Sequence, residues 1–245
     1  MRSPYGRAVR KLLDDIESSQ SDAIGRAADL AIHALTHRGA LFCAEIGHGI
    51  QGDFLNRAGG LAALHQFGHA FSVQDTVAAC LSDRETTARV HREVEAIRLA
   101  VTASNLREGD VVYMGSVSGR NVQPVALALA CREVGVRTVG LTSFAYSAET
   151  TSLHPSGLRL REAVDVAVDI CAPYGDAGVE IDGIDTAVLP LSGIAFSFTG
   201  WLIWEQVMVR MAAAGTPPTV FMSVNRSGGK EFYEAARKRF DDQGY

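Results

Sequence analysis

The fold of this chain is decided by residues 109–121, which read Gly109-Asp110-Val111-Val112-Tyr113-Met114-Gly115-Ser116-Val117-Ser118-Gly119-Arg120-Asn121. Residues 111–115 are apolar and rich in β-branched side chains, which predicts a buried strand, and the rest of the stretch is a loop of small and polar residues. A helical segment with Pro124 in its first turn follows, and Gly135 ends it before a second apolar strand over 136–142. This βαβ unit predicts a parallel sheet with a right-handed crossover.

The flanking segments add helices and strands to this unit. Apolar residues at helical spacing predict a helical hairpin over 1–38, a helix from about residue 83 and a charged tail helix over 230–240. Short apolar runs predict further strands over 41–46 and 165–170, the second near an edge of the sheet. Because the chain shows neither an internal repeat nor a linker, we expect one α/β domain.

Length and composition are those of an ordinary globular protein. The 245 residues are 47% hydrophobic and 21% charged, which excludes a disordered, collagen-like or coiled-coil chain. The 23 basic and 28 acidic residues give a net charge of −5, so we expect no binding to nucleic acid. The cysteines lie far apart in apolar stretches, which predicts reduced, buried thiols, and the first twenty residues contain no apolar leader. We expect a cytoplasmic protein.

One uncharged segment, residues 186–204, is long enough to cross a bilayer. It contains Pro190, Gly193 and Gly200 together with several hydroxyl side chains, and no basic cluster flanks it. A helix buried in the core or in an interface between subunits accounts for these features better than a membrane span does. We therefore expect no membrane association.

Two loops of small residues follow predicted strands. One is Gly47-His48-Gly49, after the strand over 41–46, and the other begins at Ser116. Because ligands bind beyond the carboxyl ends of parallel strands, both loops are expected at one edge of the sheet, and both are candidates for substrate contacts.

The second loop has the groups that a phosphate site requires. Ser116 and Ser118 supply hydroxyls, Gly119 allows close approach of the backbone, and the free N–H groups of the following helix supply partial positive charge. Asn121 is the expected N-cap of that helix, and Arg120 can add a full charge. For an isolated Ser-x-Ser-Gly sequence, a structural N-cap without a ligand is the alternative.

Further residues extend the pattern beyond this loop. Residues 109–119 are followed by helical alanines and then by Gly135 and Leu141-Thr142-Ser143. This combination resembles the sugar isomerase (SIS) domain family. Two further segments, Arg57-Ala58-Gly59-Gly60 and Gly175-Asp176-Ala177, resemble an uncharacterised bacterial group within that family. The resemblance covers a core of about residues 40–170, with helical extensions over 1–38 and 184–245.

The resemblance implies a fold, a ligand and an assembly. The fold is a doubly wound, flavodoxin-like parallel sheet of about five strands in a three-layer αβα arrangement, forming a single SIS domain over 1–245. The ligand is a phosphosugar, with Ser116, Ser118 and Ser143 as the phosphate hydroxyls. The assembly is a homodimer or homotetramer whose active sites borrow residues from a neighbouring subunit.

An isomerase of this family needs a base that takes the C2 proton, commonly a glutamate. The helix after the phosphate loop contains no acid before Glu133, at its far end, so the base must come from elsewhere. The candidates are Asp53, Glu45, Glu180 and Glu205. A solvated or salt-bridged acid is the alternative for each of them.

Glu205 is weighted more than the other acids because it adjoins Trp204 and a long apolar run. Partial desolvation there raises the pKa of a carboxyl group toward the value that a general base needs. The alternative is a helix end that emerges into water.

Two histidines are candidates for ring opening or for hydroxyl contacts, because both lie in predicted loops: His48 and His154. The remaining five are expected to be structural; they are His33, His37, His65, His69 and His91. Because no group of His, Cys and Asp has metal-ligand spacing, we expect neither a metal nor another cofactor.

Three outcomes remain open for a phosphosugar ligand. Removal of the C2 proton leads to aldose–ketose isomerisation through an enediol, or to elimination of a C3 substituent when C2 carries an acetamido group. The family includes isomerases and a lyase that acts on amino-sugar 6-phosphates. The third outcome is a phosphosugar sensor without catalysis, although no helix-turn-helix segment with a basic recognition helix is visible.

Overall fold

The computed structural model describes residues 3–85 and 89–245. The helices are α1 (Pro4–Ser19), α2 (Ser21–Thr36), α3 (Arg89–Thr102), α4 (Val122–Glu133), α5 (Phe144–Ala148), α6 (Leu160–Ala163), α7 (Ser192–Ala213) and α8 (Gly229–Gln243). The strands are β1 (Leu41–Ile46), β2 (Leu64–Gln66), β3 (Val111–Gly115), β4 (Arg137–Thr142), β5 (Val166–Asp169), β6 (Ala177–Val179) and β7 (Val188–Pro190). Short 3-10 helices cover Ile50–Asp53 and Ala79–Leu81.

The main sheet has five parallel strands in the order β2-β1-β3-β4-β5. From β1 the chain moves to β2 on one side and then to β3 on the other, so the strand order reverses between β1 and β3. In open α/β sheets of this order, the crevice beyond the carboxyl ends at the reversal is the place where ligands bind. The predicted flavodoxin-like sheet is confirmed, and β5 lies at an edge as expected.

Two apolar cores lie on opposite faces of the sheet. The alternating side chains of β3 divide between them: Tyr113 packs with Trp204 of α7 and the alanines of α2, whereas Val112 and Met114 pack with α3 and α4. The Tyr113 hydroxyl also donates to the carbonyl oxygen of Ala27 at 2.8 Å. Three layers, helix–sheet–helix, follow from this division, as predicted.

The uncharged segment 186–204 is not one helix. Its first part pairs with β6 as the strand β7, and α7 begins only at Ser192. Phe196 and Trp204 are each 1% exposed, so α7 is a helix of the core, as expected in preference to a membrane span. Within the described residues, no helix combines the length and the apolar character of a membrane span.

The connection from β2 to α3 differs from the sequence prediction. The helix expected from residue 83 begins at Arg89, and residues 68–85 are exposed throughout. Cys80 lies in this connection and is exposed, and Cys171 is half-buried, so the prediction of four buried thiols is confirmed only for Cys43 and Cys131. The pKa values of Cys43 and Cys131 are raised by burial to about 12, as expected for inert core thiols.

Candidate functional site

A cleft of about 610 Å³ opens beyond the carboxyl ends of β1, β2 and β3 and the start of α4. Its volume is in the range of small-molecule sites. The polar residues that line it are Glu45, His48, Gln51, Gln66, His69, Ser116, Ser118, Asn121, Gln123, Tyr146 and Asp176. The cleft therefore lies at the reversal of strand order, where the sheet topology favours a ligand.

The phosphate loop predicted from the sequence forms one wall of this cleft. Ser116 and Ser118 line it and are half-buried. Gly119 has φ +64°, and a Cβ atom at this position would lie 2.8 Å from Thr142 Oγ1. Only glycine fits there without strain, so it fixes the turn that presents both serines.

The N-terminus of α4 faces the same wall. Asn121 is the N-cap residue, as predicted, with φ −68° and ψ 151°, but its side chain forms no capping hydrogen bond. Gln123 and Pro124 of the first turn also line the cleft. The Asn121 side chain does not accept from the first backbone N–H groups of α4, and no preceding residue of the helix can do so. These donors are therefore available to an anion.

The end of β1 forms the adjacent wall. The pairing of β1 with β3 shifts in register between Cys43 and Ile46, which places a bulge at Ala44 and Glu45. Bulges re-aim side chains, and Glu45 is an exposed residue of the strand that lines the cleft. His48 is exposed in the cleft as well, and Gly47 with φ +54° lets the chain turn against the ring of Phe196.

Asp176 joins the cleft to the start of α7. Its carboxylate accepts hydrogen bonds from the backbone N–H of Leu191 at 3.2 Å, the N–H of Ser192 at 2.8 Å and the Ser192 hydroxyl at 2.6 Å. Asp176 serves as the cap that α7 lacks at Leu191. A signal is present in the sequence, because Gly175-Asp176-Ala177 belongs to the resemblance, but no pattern within this segment marks Asp176 as a cleft residue.

The candidate bases other than Glu45 do not line the cleft. Asp53 pairs with Arg57 at 2.7 Å and accepts hydrogen bonds from Ser197 Oγ and Trp201 Nε1, both at 3.2 Å, so it fastens the 3-10 helix to α7. Glu205 lies in the middle of α7 and is exposed, so the expected desolvation is absent. Glu180 is exposed just after β6.

Two residues expected to bind phosphate also lie apart from the cleft. Ser143 is 0% exposed; its hydroxyl donates to the Ala172 carbonyl oxygen at 2.6 Å and accepts from the Tyr146 N–H at 3.0 Å. The hydroxyl donor is therefore used by the Ala172 carbonyl oxygen and the acceptor by the N-cap of α5, whereas the resemblance implies a phosphate hydroxyl. Arg120 does not line the cleft, and its carbonyl oxygen accepts from the Leu153 N–H.

His154 occupies a different environment from the one predicted. It is 8% exposed and does not line the cleft. Its Nδ1 accepts from the Ser156 N–H at 3.1 Å and lies 2.8 Å from the Ser156 hydroxyl. Burial lowers the pKa of the imidazole, which favours the neutral form. His154 is therefore a buried loop residue that lies apart from the cleft.

One histidine expected to be structural lies in the cleft instead. His69 is exposed after β2 and lines the cleft, whereas His65 is half-buried between the rings of Phe42 and Phe240. The side chain of His91 lies outside the described residues. Strand β2 has only three residues, too few for an alternating pattern that would place His69 at its end.

Among the described residues, the charged side chains that line the cleft are acidic. Glu45 and Asp176 line it, and no lysine or arginine does. The same described residues contain no group of three or more His, Cys, Asp and Glu side chains that could hold a metal ion. Positive potential for an anion therefore comes from backbone N–H groups in a single chain.

Comparison with known sequences decides the family. The sequence profile of the SIS domain matches residues 4–143. The chain belongs to the SIS domain family. A UPF0309 protein of Shouchella clausii is 30% identical to this SIS protein over 98% of the chain and 96% of the relative. A UPF0309 protein of Streptomyces coelicolor is 28% identical over 96% of the chain and 93% of the relative.

Solved structures of low sequence identity are also similar to this SIS protein. Phosphoheptose isomerase GmhA of Neisseria gonorrhoeae is 14% identical, with a TM-score of 0.48, and the match covers 81% of this chain and 92% of that chain. The NanR protein of Vibrio vulnificus, complexed with ManNAc-6P, is 12% identical, with a TM-score of 0.44, over 96% of this chain and 66% of that chain.

Proposed function

We propose that the cleft binds a phosphosugar, with the phosphate at the loop from Ser116 to Asn121. The observation that carries this proposal is the meeting of the Ser116 and Ser118 side chains with the uncapped start of α4 at the strand-order reversal. Hydroxyls and helix N–H groups bind a phosphate without a cationic side chain. Membership of the SIS domain family supports the same ligand class.

We propose that the bound sugar reacts by removal of its C2 proton, with Glu45 as the base. Glu45 is the one sequence-derived candidate among the four acids that lines the cleft. Its carboxylate takes the C2 proton of the open-chain sugar, the electron pair of the C2–H bond forms the C1–C2 double bond, and the C1 carbonyl oxygen takes up a proton from solvent to give an enediol. Isomerisation is completed when the C2 hydroxyl gives its proton to solvent, the C2 carbonyl forms and C1 takes the proton back from Glu45. His48 lies in the cleft to move the proton that opens the ring.

Elimination starts from the same proton transfer. When C2 carries an acetamido group and C3 a leaving group, the electron pair left at C2 forms the C2–C3 double bond. The C3 hydroxide or ether oxygen leaves with its bonding pair and takes up a proton. The products are an unsaturated sugar phosphate and water or an alcohol, so the two reactions differ in an ultraviolet-absorbing product.

Substitution of Ser118 tests the phosphate site. In Ser118→Ala we expect the affinity for a phosphorylated sugar to fall about tenfold, the loss of one hydrogen bond to a charged group, with little change for the unphosphorylated sugar. Calorimetric titration with both ligands measures the difference. Equal losses for the two ligands contradict the proposal.

Substitution of Glu45 tests the base. Glu45→Gln is expected to bind the sugar phosphate as the unsubstituted protein does but to turn it over at least about a hundredfold more slowly, as for loss of a general base. Asp53→Asn and Glu205→Gln are matched controls that keep turnover, because both acids lie outside the cleft. NMR of the ligand over time distinguishes a ketose from an alkene. A ligand that binds and stays intact in the unsubstituted protein supports a phosphosugar sensor instead.

We further propose that the protein works as a homo-oligomer. The connection over 68–85 begins at cleft residues Gly68 and His69 and exposes four large apolar side chains, Phe71, Val73, Val77 and Leu81. A long connection without a core of its own, carrying apolar side chains, is typical of a surface that a partner covers. A second copy of the chain bound at this connection would lie next to the cleft. The described residues of a single chain place no lysine or arginine in the cleft, so a cationic side chain there would come from the second copy.

A further inference from the structure

The order of the strands determines which groups line each end of the cleft. The phosphate loop follows β3, the Glu45 and His48 wall follows β1, and the next wall follows β2. Neighbouring strands lie about 4.8 Å apart, so the end of β2 lies about 10 Å from the end of β3. This span is comparable with the length of an open-chain hexose phosphate. A sugar held by its phosphate at β3 therefore extends toward the end of β2.

The end of β2 presents two exposed polar side chains on a fixed backbone. The N–H of Phe67 donates to the Cys43 carbonyl oxygen at 2.9 Å, which continues the pairing of the sheet, and Phe67 is 9% exposed in one of the two cores. Gln66 and His69 flank this anchored residue, and both are exposed and line the cleft.

The two ends of the cleft differ in chemistry. The β3 end offers hydroxyls and helix N–H groups, which suit an anion. The β2 end offers a carboxamide and an imidazole, and each of these groups can both donate and accept hydrogen bonds. A sugar hydroxyl both donates and accepts, so the β2 end is suited to the polyhydroxyl part of a phosphosugar and not to its phosphate.

We propose that His69 is a sugar-binding residue that contacts the end of the ligand opposite the phosphate. This proposal rests on the phosphosugar function proposed above and assigns a role to a histidine that the sequence pattern marked as structural. Its exposure and position in the cleft oppose a core role, and its ring lies 6.1 Å from that of Phe67. The charged and titratable groups that face the same space are Glu45, His48, Tyr146 and Asp176.

Binding measurements with two kinds of probe test this assignment. The full-length His69→Ala protein is titrated calorimetrically with inorganic phosphate and with a panel of hexose 6-phosphates, N-acetylhexosamine 6-phosphates and heptose 7-phosphates. We expect about tenfold weaker binding of the sugar phosphate and unchanged binding of inorganic phosphate, because the lost hydrogen bonds lie at the sugar end. His37→Ala, which removes an exposed histidine at the end of α2 away from the cleft, is expected to leave both affinities unchanged.

NMR of the unsubstituted protein separates the possible failures. Inorganic phosphate is expected to shift the amide signals of residues 116–123, the loop and the first N–H groups of α4, without the His69 signals. A sugar phosphate is expected to shift these amide signals and the His69 imidazole signals. If the loop responds to a sugar phosphate while His69 stays silent, or if His69→Ala weakens both probes equally, the His69 assignment is overturned and the phosphate site stands. If neither the loop nor His69 responds to any probe, the phosphosugar function itself is overturned, and His69 with it.

Discussion

Gly119 shows at the scale of one residue how the phosphate loop depends on backbone geometry. Its φ of +64° is a conformation that side chains disfavour, and an added Cβ would lie 2.8 Å from Thr142 Oγ1. We expect Gly119→Ala to lower the free energy of unfolding by about 2 kcal/mol, more than the roughly 1 kcal/mol cost of a left-handed residue alone. Urea unfolding measures the loss.

Gly157→Ala is the matched control for this prediction. Gly157 has φ +74°, but an added Cβ there meets no atom within 4 Å. This variant should show only the left-handed cost, about 1 kcal/mol. If both variants lose the same stability, the contact with Thr142 does not matter and the account of the turn is wrong.

His154 links stability to pH. Burial lowers the pKa of its imidazole, so the folded protein resists a proton that the unfolded chain accepts near pH 6.5. The unfolded state then binds more protons, and the free energy of unfolding falls as the pH falls below that value. The lowered pKa of half-buried His65, caused by burial and then by Arg237, acts in the same direction.

The variant His154→Gln isolates this contribution. We expect it to lose less stability between pH 7.5 and pH 5.5 than the unsubstituted protein does, as measured by urea unfolding at both values. His37→Gln, which replaces an exposed histidine, should keep the full loss. A pH dependence in His154→Gln that equals that of the unsubstituted protein argues against a neutral buried His154.

The sequence places at the sheet edge those cleft residues that follow a strand directly, and it does not reveal contacts that depend on packing. Ser116, Ser118 and His48 come immediately after apolar runs, so the topology alone brings them to one edge. The partners of Asp53 are Ser197 and Trp201, which lie far along the chain on α7, and no local pattern reveals such a contact. For the same reason the sequence could not show that Glu205 faces outward.

At the scale of elements, the first turn of α7 is joined to the cleft by the carboxylate of Asp176. Asp176 accepts three hydrogen bonds at the start of this 22-residue helix. We expect Asp176→Ala to lower the free energy of unfolding by about 2 kcal/mol, the range for loss of a cap, because the Ser192 N–H loses its partner while the Leu191 N–H keeps its bond to the carbonyl oxygen of residue 176 at 3.1 Å. Chemical unfolding followed by circular dichroism measures it.

A smaller loss is expected for Ser192→Ala, which removes only the hydroxyl bond to Asp176 and keeps the two backbone bonds. The ratio of the two losses shows whether the carboxylate acts mainly as a helix cap. If Asp176→Ala is as stable as the unsubstituted protein, the cap does not fix α7.

Elements with a clear period were predictable, and short ones were not. The apolar residues predict five of these elements directly: α1, α2, α4, β3 and β4. Strands β2, β6 and β7 have three residues each, too few to show alternation, and β7 was hidden within the uncharged segment before α7. The start of α7 depends on Asp176, fifteen or more residues earlier, which periodicity does not contain.

For the whole molecule, the exposed connection over 68–85 predicts self-association. Phe71 is 72% exposed, the most of the large apolar side chains that the structure describes. We expect Phe71→Asp to shift the protein from an oligomer to a monomer in light scattering coupled to gel filtration, because a charge in an apolar interface loses its solvation. Phe232→Asp, an exposed position on α8, is the control that should keep the oligomer. A monomeric unsubstituted protein contradicts the prediction.

The doubly wound architecture was predictable because one βαβ unit fixes parallel strands and handedness, and the family resemblance supplied the strand order. Which acids and histidines share the cleft was not predictable from pattern alone. That outcome depends on the bulge near Glu45 and on the exit of the chain from β2.

The central claim is that this cleft recognises a phosphosugar through its phosphate. Thermal unfolding of the protein with pairs of phosphorylated and unphosphorylated hexoses, heptoses and N-acetylhexosamines tests it most directly, since a ligand that binds the folded state raises the midpoint. We predict that at least one phosphorylated sugar raises the midpoint by several degrees while its unphosphorylated partner does not. Equal shifts for both members of every pair, or no shift with any of them, would contradict the account.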